Sequence, residues 1–106
     1  MEISYLRNLR LSADANSEKE AQRDLKESFN KLKAFAVAFG LSTKIETGRC
    51  QLDHPIYYYT YIFTIKINAV CDFGSVLELA AAINAFAHFN SFEIGEEIVQ
   101  LADDES

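Results

Sequence analysis

Four residues could carry nucleophilic or metal chemistry: Cys50, His54, Cys71 and His88. Cys50 and His54 lie four apart in sequence, but a thiol and an imidazole act together only within hydrogen-bond reach and with a third group orienting the ring. Cys50 ends an extended run, His54 sits in the turn Asp53-His54-Pro55, and nothing nearby orients the imidazole. The spacing therefore reads as an inward cysteine beside an exposed turn histidine, with no catalytic residues. Cys50 belongs opposite a residue near Tyr58, far from Cys71, and neither cysteine has metal or redox spacing. Two free thiols and a reducing compartment follow. His88 falls in the last turn of a helix, where the dipole favours a cation. Gly40, Gly48, Gly74 and Gly95 are isolated, so no phosphate-cradling loop is present. No cofactor and no metal is expected.

The carboxylates are distributed more tellingly. Of the 10 Lys+Arg and 16 Asp+Glu that give a net charge of −6, every cation lies at or before Lys66, and residues 71–106 hold acids only. Glu93, Glu96, Glu97, Asp103 and Asp104 are too well solvated for general acid–base pairing, which needs one desolvated carboxyl. They suit attraction to a basic protein partner, and a carboxylate-studded surface of this kind can occupy a groove shaped for phosphates.

Periodicity shows what must position these groups. Residues 3–13 alternate as a strand, and Asp14-Ala15-Asn16 turns. Residues 18–39 form one helix, opened by a Ser17/Glu20 capping box and closed by Gly40. Its apolar stripe is Ala21, Leu25, Phe29, Leu32, Ala36 and Phe39. Residues 41–52 and 56–70 form a hairpin. In its second strand Tyr57, Tyr59, Tyr61, Phe63, Ile65, Ile67 and Ala69 face the core. A phase slip predicts a bulge near Gly48. Residues 76–88 form a second helix with a Ser75/Glu78 capping box and the stripe Val76, Leu79, Ala80, Ile83 and Ala87. Residues 92–101 form a last strand whose phase slips at Gly95, and residues 102–106 are an acidic, flexible tail. The chain reads as a single domain over 1–106.

Strand, helix, strand, strand, helix, strand is most economically an α+β ferredoxin-like βαββαβ sandwich, a four-stranded antiparallel sheet with two helices on one face. Right-handed crossovers put the first and third strands at its centre.

The helices leave the other sheet face open. It carries Asn8 and Arg10 from the first strand, Ser42, Lys44 and Glu46 from the second, and Tyr58, Thr60, Ile62, Thr64 and Lys66 from the third. Tyr58 and Ile62 are unusual in bare solvent, which suggests a sheet-to-sheet homo-oligomer or another protein contact through Arg10, Tyr58, Thr60, Ile62 and Lys66. RNA or single-stranded DNA could stack on the same face. One outward aromatic and a negative net charge argue against nucleic acid. A third possibility is a small-ligand protein or minor enzyme of dimeric type, with a site lined by Tyr57, Tyr59 and Phe86.

No run of about 18 apolar residues is present, so no membrane helix is expected. Met1-Glu2-Ile3-Ser4 lacks a signal-peptide pattern, which predicts a cytoplasmic protein. The reading that unites these features is a non-enzymatic interaction module. Its size and charge suit a small acidic regulatory or inhibitory protein, of viral or mobile-element type, that binds a basic partner.

Overall fold

A computed structural model describes residues 1–51 and 59–102. Over these residues the fold is α+β, with four strands and three α-helices. The strands are β1 (Glu2–Ala15), β2 (Ser42–Gln51), β3 (Tyr59–Asp72) and β4 (Glu93–Leu101), and the helices are α1 (Glu18–Asp24), α2 (Lys26–Phe39) and α3 (Val76–Phe89). The sheet order is β2-β3-β1-β4 and every pairing is antiparallel. The first and third strands are thus central.

Alternation in β1 and β3 explains which face is buried. Ile3, Tyr5, Leu9 and Leu11 point the same way as Ile65 and Ile67, and they pack under Leu32 of α2 and Ile83 and Ala87 of α3. A second cluster joins Ala15, Ala21, Tyr61 and Phe63 at the far end. Fully burying side chains of this size contributes roughly 1.5–3 kcal/mol each.

Several expectations need correcting. The first strand runs on through Asp14 and Ala15, because Ala15 is buried against α1 and pairs with Tyr59. The single helix over 18–39 is two, broken at Leu25, whose backbone (φ −100°, ψ 11°) leaves the helical region. Leu25 and Phe29 touch both core clusters, so the break lies where the helical layer passes from one cluster to the other. The Ser17 half of the expected capping box forms, with Glu20 N–H donating to Ser17 Oγ at 3.1 Å, while the Glu20 carboxylate reaches one residue further back and accepts Asn16 N–H at 2.9 Å. Gly40 takes a left-handed φ of 66° and lets Leu41 N–H reach back to the Ala36 carbonyl at 2.8 Å. The second capping box does not form. A 3-10 turn over Phe73–Ser75 starts the helical path early, so the Ser75 backbone is already helical and its side chain makes no cap bond.

The bulge expected near Gly48 is absent. Register between β2 and β3 is unbroken from Ser42↔Asn68 to Gln51↔Tyr59, with Gly48 opposite Ile62. Unbroken alternation turns Cys50 to the open face, opposite Thr60 and exposed, and not inward. The slip expected at Gly95 is real: register between β1 and β4 shifts between Arg7↔Glu97 and Leu9↔Ile94. The Asp53-His54-Pro55 turn, Tyr57, Tyr58 and the tail acids Asp103 and Asp104 lie outside the described residues.

Candidate interaction surfaces and a polar cluster

The open sheet face collects most of the side chains expected on it. Arg10, Thr60, Ile62 and Lys66 share it with Ser42, Lys44 and Glu46, as the cross-strand register requires. Its charges, however, are largely paired within the face. Arg10 Nε lies 3.3 Å from Glu93 Oε1, and Lys44 and Lys66 share Glu46 Oε2 at 3.6 and 3.4 Å. Thr60 Oγ1 donates to Asp14 Oδ1 at 2.8 Å. Ile62 borders two open depressions of about 260 and 380 Å³, one beside Arg10 and Glu93, the other beside Glu46 and Cys50.

The described acidic residues of β4, Glu93, Glu96 and Glu97, do not share one face. Glu93 lies on the open face with Arg10, and Glu96 lines a shallow depression there with Asn8 and Thr64. The bulge at Gly95–Glu96 inserts an extra residue, and this sends Glu97 to the helix side. There Glu97 Oε2 accepts the Tyr5 hydroxyl at 2.6 Å and stands 3.4 Å from Arg7 Nη1, while Arg7 Nη2 donates to Asn84 Oδ1 of α3 at 3.0 Å.

This Tyr5–Glu97–Arg7–Asn84 cluster was not anticipated from the sequence. Arg7 stands opposite Ile67, in phase with Tyr5 and Leu9, so its side chain points to the helix side of the sheet, where alternation calls for an apolar residue. Its side chain is 12% exposed against 38% for Glu97, and Arg7 Nε is buried with no partner. Burial, then the hydrogen bond to Glu97, then the charge of Glu97 push the Tyr5 phenol well above its usual range, against a smaller lowering by Arg7. A phenol held neutral beside a carboxylate already paired to a guanidinium is a structural lock. It does not have the poise of an acid–base pair.

The other chemical candidates stay apart. Cys50 sits opposite Thr60 and Cys71 opposite Ile3, near opposite ends of the sheet. Eleven residues of extended β3 separate their positions by roughly 35 Å. Both thiols are free. His88 is exposed at the end of α3, its ring 5.5 Å from that of Phe89. Tyr59 stacks edge-on with Tyr61 and lies under Arg49 at 4.5 Å, whereas Phe86 stacks on Phe35 and Phe92 in the other cluster. Tyr59 and Phe86 therefore do not line a common site. Among the described residues no group of three His, Cys, Asp or Glu could hold a metal ion. No described helix is long and apolar enough to cross a membrane.

No protein-family model matches the chain, and no curated protein matches it. Among solved structures it is similar to an unknown protein from Galdieria sulphuraria, at 10% identity and a TM-score of 0.49. That match covers 95% of this chain and 50% of the other, so this chain spans about half its length. It is also similar to the de novo designed protein Foldit4, at 12% identity and a TM-score of 0.38, over 96% of this chain and 99% of the design. The designed protein Ferredog-Diesel gives 14% identity and a TM-score of 0.31, over 92% and 83%.

Proposed function

We propose that this chain is a non-enzymatic interaction module built on a ferredoxin-like sandwich. Read from the other edge, β2-β3-β1-β4 becomes β4-β1-β3-β2, and that order together with the strand–helix–strand–strand–helix–strand sequence supports the ferredoxin-like reading. One observation carries the functional reading. A sheet with two 14-residue central strands buries one face under its helices and leaves the other uncovered by any described element, with Leu6, Ile62, Val70 and Ile98 among polar groups. A large uncovered sheet face is a contact surface in search of a second layer.

The acidic strand supplies the polarity of the partner. Glu96 stands at the rim of this face beside the Arg10–Glu93 pair, and its carboxylate is in no ion pair with a described residue, so a basic protein surface fits best. Nucleic acid fits less well, because Arg10, Lys44 and Lys66 are each already engaged by a carboxylate. Tagged protein captured from its native cytoplasmic lysate is expected to retain a stoichiometric basic protein that survives nuclease and leaves at high salt. The E93K/E96K variant is expected to lose it. An eluate holding the bait alone at low salt, or a partner indifferent to both salt and E93K/E96K, refutes the reading.

A further inference from the structure

The two edges of the sheet are finished differently. β4 carries two devices that discourage strand pairing, a bulge at Gly95–Glu96 and an inward-pointing charge, Glu97. β2 carries neither. Its ladder to β3 is regular, all ten of its residues are exposed, it has no proline, and among the described residues no strand covers its outer edge. A long regular edge of this kind is a template for another strand.

The side chains of β2 select which strand. A two-fold axis normal to the sheet would pair β2 antiparallel with β2 of a second copy, setting same-face residues opposite one another. Centred on Glu46 or on Lys44, that pairing opposes like charges, Glu46 to Glu46 or Lys44 to Lys44. Centred on Thr47 it sets Ile45 against Arg49 and leaves Lys44 and Glu46 without opposite charges. Centred on Ile45 it sets Lys44 against Glu46 twice, Thr43 against Thr47 twice, and Ile45 against itself, with Ser42 to Gly48 of each copy in register.

Two details of the single chain favour the Ile45-centred register. Lys44 and Lys66 stand directly opposite each other across β2 and β3 with Glu46 shared between them, so a second carboxylate beside Lys44 relieves a like-charge pair. On the helix side, Ile45 is 49% exposed and borders an open apolar depression of about 200 Å³ formed with Lys26, Phe29 and Phe63. At the two-fold axis the two Ile45 side chains meet, and each depression lies along the seam.

We infer that the β2 edge pairs with the β2 edge of a second copy in the Ile45-centred register, joining two sheets into one of eight strands. The inference rests on the interaction-module reading in taking this chain to work by contact, but it uses a different surface from the acidic rim. Pairing over Ser42–Gly48 alone buries less than the roughly 800 Å² per partner of a standard interface, so the dimer belongs to the weak, reversible class.

Sedimentation equilibrium of the whole chain over a dilution series tests it. The expected result is a reversible monomer–dimer equilibrium that K44E and E46K each weaken at least tenfold, and that the K44E/E46K double swap restores to within threefold. Circular dichroism melts confirm that each variant is folded. Three results overturn the inference: a monomer at several hundred micromolar, a dimer indifferent to both single swaps, or one dissolved by I62E on the open face but not by K44E. Capture of a basic partner is read separately, by E93K/E96K, so either surface can fail without the other.

Discussion

β2 and β4 flank the same two central strands, yet one edge is tied inward and the other is left bare. β4 reaches the core through its bulge, which turns Glu97 toward Tyr5 and Arg7 and makes the edge part of a polar cluster beneath α3. β2 keeps perfect alternation and contributes no buried residue, and beyond its ladder to β3 it has surface contacts such as the Glu46–Lys66 ion pair and Arg49 over Tyr59. Edge status by itself therefore says little about a strand's role. The side chains decide whether the edge is closed or offered.

Removing Glu97 should break this contrast most severely. In E97L the Arg7 guanidinium, 12% exposed, keeps only Asn84 as partner, and the Tyr5 hydroxyl loses its acceptor. Leaving a largely buried charge and a buried donor unpaired costs about 3 kcal/mol, measured as a fall in urea-unfolding free energy. The R7M/E97L double variant should recover part of that loss, since it removes the orphaned charge along with its partner. A double variant no better than E97L would mean that Glu97 acts through packing alone.

Gly95 tests the bulge itself. A Cβ there would lie 3.2 Å from Asn8 Cβ and 3.3 Å from the Asn8 carbonyl oxygen, and the carbonyl belongs to a central strand that cannot retreat. G95V should cost about 2 kcal/mol, as overpacking of a tight site does. Amide exchange should quicken at the Arg10 end of the β1–β4 ladder while the β2–β3 ladder keeps its protection. Uniform loss of protection in both ladders would make the two edges one cooperative unit.

Tyr5 separates the hydrogen bond from the charge. Y5F should cost about 1 kcal/mol near neutral pH, because Glu97 keeps Arg7 when the hydroxyl is gone. The effect of alkali follows from the raised phenol. An unfolded tyrosine gives up its proton near pH 10, whereas folded Tyr5 holds it to higher pH. The stabilisation is therefore complete below about pH 10 and is lost as pH rises further. Y5F should flatten the decline in melting temperature above that pH. Parallel slopes for the two proteins would place the alkaline loss elsewhere.

The elements were largely legible in the sequence, and their junctions were less so. Two-residue alternation located β1 and β3 and the buried side of each, and the three- and four-residue spacing located the helical layer, because both signals record burial directly. The break at Leu25 carried no glycine or proline to announce it. Ser75 looked like a cap because its residue type suits one, but an earlier 3-10 turn had taken the position. At Gly48 a phase slip in side-chain type was mistaken for a slip in backbone register. β2 buries neither face, so its pattern records no burial at all. The polar cluster escaped notice for the opposite reason. Arg7 lies in phase with core residues, and only the bulge that brings Glu97 beneath α3 makes a charge tolerable there.

The smallest expected effect is on β2. Ile45 is half exposed and its strand buries nothing, so I45K in dilute solution should shift unfolding free energy by less than about 0.5 kcal/mol, as surface substitutions do. The substitution gives β2 the device β4 already has, a charge pointing to the helix side of an edge strand. At higher concentration the same change should matter more, since it places two ammonium groups against each other at the seam of an Ile45-centred pair. A stability change confined to concentrated samples marks β2 as an edge that works between molecules. An equal loss at all concentrations would show that Ile45 supports Phe29 and Phe63 within the single chain, and the two edges would then differ less than their exposure implies.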